Sequence, residues 1–146
     1  MAEKPTCSCG STDALPVKRI IFPCAGVANV GQITNCAAIQ LTEEGYGGAS
    51  CVALLATGAE GLMKNIASSD EILILDGCQV QCGRKIAEEQ GVAIDQHIVV
   101  TELGITKAGS KDYSDEDIET VVSAVWEGKG TTCSKQCGSG CGCGCR

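Results

Sequence analysis

The sequence predicts an α/β domain: a four-stranded parallel sheet in a Rossmann-like or flavodoxin-like three-layer fold, with cysteine-rich tails at both ends. Three observations predict it. Short apolar runs alternate with stretches of helical periodicity through residues 17–128. The length of 146 residues and the 44% hydrophobic fraction suit one domain with a real core. Aromatic residues make up only 3%, so that core must be built from Ile, Val, Leu and Ala. The chain divides into a Cys-containing head (1–16), the α/β domain (17–128) and a Gly/Cys-rich tail (129–146).

Each element has a local signature. Val17 to Phe22 is a short apolar run closed by Pro23, a first strand. Val30, Ile33, Ala37 and Leu41 follow at helical spacing, and Gly45 stops that helix. Ala49 to Leu55 is a second apolar run, assigned to the second strand, and Ala59 to Ala67 reads as a short helix. Glu71 to Leu75 is the clearest buried strand. Gln79 to Gln90 is a helix stopped by Gly91, and His97 to Thr101 the fourth strand. Ser114 is an N-cap with Asp117 three residues on, and acids fill the first turn. Ile118, Val121, Val122, Val125 and Trp126 then lie on one helical face, ended by Gly128. Right-handed crossovers favour the strand order 2-1-3-4, with ligands gathering at the carboxyl ends of the strands.

Charge and composition exclude whole classes of function. The net charge is −7, so a nucleic-acid binder or an anionic-membrane binder is not expected. The uncharged run Ile20 to Thr42 contains Pro23, Asn29, Gln32, Thr34, Asn35 and Gln40, which argues against a membrane span. The start of the chain has no basic-then-apolar signal, so a cytoplasmic location is expected. Cysteine is the outlier at 12 residues, and clustered cysteines in a reducing compartment point to metal or redox chemistry more than to structural disulfides.

Strand order turns separated cysteines into neighbours. Cys24 follows the first strand and Cys78 the third; Cys82 sits one turn further, and Cys51 lies at the end of the second strand if that strand is short. Adjacent strands are about 4.8 Å apart. Sulfurs around a zinc ion are roughly 3.8 Å apart. The four thiols can therefore meet at one edge of the sheet. As i and i+4 partners, Cys78 and Cys82 are expected on one helical face, near a helix N-terminus that favours thiolate. The alternative is that they are small buried residues.

Several stretches together resemble one family. Residues 24–32 (Cys-Ala-Gly-Val-Ala-Asn-Val-Gly-Gln), Cys51, residues 76–82 (Asp-Gly-Cys-Gln-Val-Gln-Cys) and residues 97–104 (His-Ile-Val-Val-Thr-Glu-Leu-Gly) resemble the DGC-domain family, named for its Asp-Gly-Cys motif. The resemblance covers roughly residues 17–111. It implies a zinc-type site on four cysteines, carried over here to Cys24, Cys51, Cys78 and Cys82. It implies no settled physiological role.

Neighbouring residues carry further expectations. Gly26 and Gly31 bracket the turn after the first strand, either to face backbone N–H groups toward an anion or sulfur or to make a tight turn. Gly77 is expected to allow the bend that aims Cys78, and Asp76 to orient a ligand or cap the next helix. Thr101 and Glu102 end the fourth strand near the same edge. His97, the sole histidine, starts that strand and is expected at the opposite edge, away from the site. Cys36 is expected to flank the apolar stripe of its helix.

The tail repeats cysteine at 133, 137, 141, 143 and 145 among Gly, Ser and Thr, with no apolar residues to bury. The last 18 residues carry three basic residues and no acid. The last helix should return the chain to the amino edge of the sheet, beside its entry to the first strand. A second thiolate site combining Cys7 and Cys9 with the tail cysteines is therefore expected, against the alternative of a tail that binds metal only adventitiously.

The leading expectation is a zinc-binding protein for storage, sensing or trafficking, with the metal ion as its partner and no protein partner named. Four thiolates leave no open position for water, which favours a non-enzymatic role. An iron–sulfur electron carrier on the same cysteines is the alternative. An enzyme reading rests on Cys78-x5-Arg84, the loop spacing of low-molecular-weight phosphatases and arsenate reductases, and a thiol–disulfide function is also open.

Overall fold

The computed structural model describes residues 16–132. Cys7, Cys9, Cys133, Cys137, Cys141, Cys143 and Cys145 lie outside the described residues. In chain order the elements are β1 (Arg19–Pro23), α1 (Asn29–Glu43), β2 (Gly48–Ala49), α2 (Val52–Ala56), α3 (Glu60–Ala67), β3 (Glu71–Asp76), α4 (Cys82–Glu89), β4 (Gln96–Val99) and α5 (Asp115–Trp126). A short 3-10 helix, Val100–Leu103, follows β4 directly. Among the described residues the strands form one four-stranded sheet in the order β2-β1-β3-β4, every pair parallel.

Alternation along β3 builds the two halves of the core. Leu73 and Leu75 face one side, where Ile21, Ile98 and the apolar stripes of α1 and α5 pack. Ile72 and Ile74 face the other side, with Ile20, Phe22, Leu55, Leu62 and Ala87. Successive residues of a strand point to opposite faces, so one buried run feeds both layers. Aliphatic side chains do fill most of this interior: Ile21, Ile33, Leu41, Ile74 and Leu75 are fully buried, with Phe22 and Tyr46 as the buried aromatics. No helix among the described residues is long and apolar enough to cross a membrane.

The second apolar run departs from its expected form. β2 is only Gly48–Ala49, and Val52–Ala56 is a helix. Residues 53–56 are Ala and Leu, strong helix formers, and only Leu55 of this helix is buried. The strand thus stops two residues before Cys51, which becomes the N-cap of α2.

The fourth helix also starts later than its periodicity implies, at Cys82 rather than Gln79. Gln81 adopts the left-handed conformation (φ 54°), which breaks the helical path between Cys78 and Cys82. Those two cysteines therefore do not share a helical face. β4 ends at Val99, so Thr101 and Glu102 belong to the 3-10 helix that follows it. The last helix follows its sequence signature: the Ser114 side chain accepts from the Asp117 N–H, and the Asp117 carboxylate accepts from the Ser114 N–H.

The chain leaves α5 at the outer edge of β4. Thr131 bridges Gln96 in antiparallel fashion, and the Thr132 N–H donates to Asp95 O at 2.8 Å. Buried Gln96 donates to the carbonyls of Val125 and Lys129 and accepts from the Tyr46 hydroxyl at 2.7 Å. Burial raises the Tyr46 hydroxyl above its ordinary pKa and keeps it a donor here. The tail thus departs at the amino end of the sheet as expected, but at the β4 edge and not beside β1, which lies two strands away.

Candidate thiol site at the carboxyl edge

Cys24 continues β1 by one residue, its N–H donating to Leu75 O at 2.8 Å. The next residue, Ala25, turns the chain in the left-handed conformation (φ 49°), and its N–H donates to the buried Thr34 hydroxyl. That hydroxyl lies 3.7 Å from Cys24 Sγ and donates to Gly31 O at 2.7 Å. The glycines of this turn serve close approach. A Cβ on Gly31 would overlap the Gly26 backbone, and one on Gly77 would come within 3.0 Å of the Val30 carbonyl carbon. Gly77 is thus required by its contact with the first turn of α1, not by an unusual backbone angle of its own. The Gly31 N–H is already used by Ala28 O. The tight-turn expectation for this glycine pair fits.

Cys24, Cys78 and Cys82 line a single cavity of 190 Å³, with Gly26, Val30, Gly31, Val80 and Lys107. Cys24 and Cys51 line an adjoining cleft of 410 Å³. Cys24 stands between the two spaces. Cys24 and Cys78 are half-buried, Cys51 and Cys82 are exposed, and all four are free thiols. Cys36 is half-buried on the flank of α1 beside the Tyr113 hydroxyl, as its spacing implies. The soft donors suit zinc chemically. Their present arrangement is open: among the described residues no three His, Cys, Asp or Glu side chains are gathered as a metal site.

Two residues at this edge carry signals that sequence reading passed over. Lys107 Nζ lies 3.6 Å from Cys78 Sγ. Buried Asn29 holds the Lys107 loop: its Nδ2 donates to Thr106 O and Asp112 O, and its Oδ1 accepts from the Ala108 N–H at 2.7 Å. The position of Asn29 at the first residue of α1 is the one local clue to it. Lys107 leaves none, because its partner is 29 residues away.

Asp76 is 1% exposed, and three groups compensate its carboxylate. Oδ1 accepts from the Gly83 N–H at 2.7 Å; Oδ2 accepts from the Arg84 N–H at 3.0 Å and lies 2.9 Å from His97 Nε2. This bridge caps α4 from a distance and sets its start at Cys82. It also gives His97, which lines neither cysteine cavity, a partner that its strand position does not reveal. The His97 backbone pairs with Ile74, two residues before Asp76 on the same face, and the imidazole reaches diagonally across the strands to the carboxylate. Around the 77–81 turn, the Thr101 N–H donates to Gly77 O and Gln79 Nε2 donates to Glu102 at 2.9 Å.

The same geometry opposes the Cys-x5-Arg enzyme arrangement. Two amides of the 78–84 loop, those of Gly83 and Arg84, already bond Asp76. The Arg84 guanidinium pairs with Glu88 at 2.8 Å and lines a different cleft from Cys78.

Comparison with known proteins agrees with this region. The chain is 29% identical over 107 residues to the anaerobic and virulence modulator AnvM of Pseudomonas aeruginosa, covering 73% of this chain and 79% of the relative. No solved structure matches. The model of the DGC domain matches residues 20–125, which span the sheet and every cysteine of the carboxyl edge, and the chain belongs to the DGC-domain family.

Proposed function

We propose that the carboxyl-edge pocket is a thiol site for a soft divalent cation of the zinc class, with Cys24, Cys78 and Cys82 as donors and Cys51 as a fourth from the adjoining cleft. One observation carries this reading: three free cysteines from two separate parts of the chain, Cys24 after β1 and Cys78 and Cys82 after β3, line one small cavity. The strand order 2-1-3-4 supports it, since its winding reverses between β1 and β3, where open α/β sheets collect ligands. Bound there, the ion would be held by sulfur alone, a shell without a water position and suited to storage, sensing or trafficking. Exposed Cys82 and Cys51 have freedom to turn inward, and the charge of several thiolates would be offset by the ion and Lys107. An iron–sulfur cluster would draw on the same donors, with brown colour and bleaching on reduction as its signature.

A second reading is a redox-sensing thiol at Cys78. Lys107 beside its sulfur supports it, and so does the relative's name, which refers to anaerobic modulation. Metal content of full-length protein prepared anaerobically tests the first reading. Replacing Cys24 and Cys78 by Ser should lower it by one ion per chain. Unchanged content would move the metal elsewhere and favour the redox reading.

A further inference from the structure

We infer that the seam between α1 and α5 is a docking surface for a basic amphipathic helix of a protein partner. It shares no residue with the two cysteine cavities, so it stands or falls apart from the metal reading.

The two helices are tied at successive turns. Cys36 Sγ lies 4.0 Å from the Tyr113 hydroxyl, Gln40 Nε2 donates to Glu119 at 2.6 Å, and the Trp126 indole N–H donates to Glu44 at 2.8 Å. Along this seam a shallow groove of 590 Å³ stands open, lined by Cys36, Ile39 and Ile118 and by Glu43, Glu44 and Glu119. Ile39 is 50% exposed, and Trp126, the sole tryptophan, is 52% exposed. The indole is held in place: besides its bond to Glu44, it meets the Tyr46 ring edge-on with centroids 4.8 Å apart. A fixed, exposed aromatic beside aliphatic side chains is the kind of anchor on which binding surfaces are built.

Charge identifies the occupant. Neither α1 nor α5 contains a lysine or arginine, whereas Glu43 and Glu44 end the first and Asp115, Glu116, Asp117 and Glu119 lie in the second. Acids in the first turn of α5 suit its dipole; Glu43 and Glu44 stand at the negative end of α1, where the dipole favours a cation. The donors on Gln40 and Trp126 hold the Glu44 carboxyl below its ordinary pKa, so it stays ionised. This arrangement costs local stability, and a partner's cations would offset it. A second copy of the chain is disfavoured, because a twofold contact sets these glutamates against themselves. A bare polycation would leave Ile39 and Trp126 in water. A helix with an apolar stripe flanked by Lys or Arg satisfies both the charge and the apolar surface. The groove runs along α1 from Cys36 to Glu44, a length of about 12 Å that roughly two turns of such a helix fill.

A synthetic peptide of about 18 residues, built from Leu and Lys with Leu at i, i+3, i+4 and i+7, tests this against the full chain under reducing conditions. The peptide has no aromatic residue, so tryptophan emission reports on Trp126 alone. The expected result is a saturable shift of that emission at low ionic strength, weakened by salt. Affinity should fall at least about tenfold for a scrambled peptide of the same composition without the stripe, and at least about tenfold in the Glu43→Lys/Glu119→Lys chain. Ile39→Ser should weaken binding about fivefold or more. Glu43→Lys alone should unfold in urea no earlier than the native chain, which separates lost binding from lost folding. Absence of a saturable shift would overturn the proposal. So would equal affinity for the scrambled peptide or for spermine, which would reduce the effect to attraction of any polycation. Undiminished affinity in the charge-reversed chain would place the peptide elsewhere and overturn it too.

Discussion

The Lys107 ammonium lies 3.6 Å from the sulfur of Cys78, across 29 residues of sequence. Lys107 is exposed and Cys78 half-buried, so the pair sits at the mouth of the pocket where a reagent or ion would enter. A positive charge there stabilises negative charge on the sulfur as it attacks. Lys107→Gln should slow alkylation of Cys78 by iodoacetamide about three- to fivefold at low ionic strength, an effect that salt erases. Peptide mapping of the labelled chain measures it. An equal rate at Cys78 in both proteins would remove Lys107 from the site.

Asn29 holds the loop that brings Lys107 to the pocket. Its side chain makes three hydrogen bonds to backbone of residues 106–112 while buried at the start of α1. Asn29→Ala should cost about 2–3 kcal/mol by leaving those backbone groups unpartnered. It should also speed hydrogen exchange at the Ala108 amide and reproduce part of the Lys107→Gln effect on alkylation. Exchange at Ala108 no faster than in the native chain would contradict the clamp.

Asp76 links the helix cap to His97. Asp76→Ala removes the acceptor of two α4 amides and strands the imidazole, and should destabilise the chain by about 2–4 kcal/mol in urea unfolding. Glu88→Ala breaks an exposed i,i+4 pair with Arg84 and should cost no more than about 0.5 kcal/mol. Similar costs for the two would show that the buried bridge contributes little.

Glycine positions separate close packing from chance. Gly31→Ala places a methyl against the Gly26 backbone, whereas the equivalent methyl at Gly48 meets open space. The first should lose about 1–3 kcal/mol, and the second should stay within about 0.5 kcal/mol. Thermal unfolding of the two variants checks the contrast, and equal melting points would contradict the packing of the Cys24 turn.

What the sequence reveals and what it conceals follow the range of the interactions involved. β3 and α5 are legible because their determinants are local: an unbroken aliphatic run from Ile72 to Leu75, and Ser114 with Asp117 three residues on. The strand order is the one favoured among the orders that parallel strands and right-handed crossovers allow. The end of β2 is not legible, because one continuous apolar run from Ala49 to Leu55 hides the change from strand to helix at Cys51. The start of α4 is hidden for another reason: Asp76, outside the helix, selects it by bonding Gly83 and Arg84. His97 lies off the cysteine cavities, as its place near the start of β4 implies, but its bond to Asp76 is not legible, because strand position does not show how far an imidazole reaches diagonally.

The most direct measurement of the central claim is a Co2+ titration of the full chain with Cys7, Cys9, Cys133, Cys137, Cys141, Cys143 and Cys145 replaced by Ser, leaving the carboxyl-edge thiols as the cluster under test. The account predicts strong sulfur-to-cobalt absorption that saturates and is lost on adding Cys24→Ser or Cys78→Ser. A chain that folds normally, keeps its thiols reduced and gives no such absorption would contradict it.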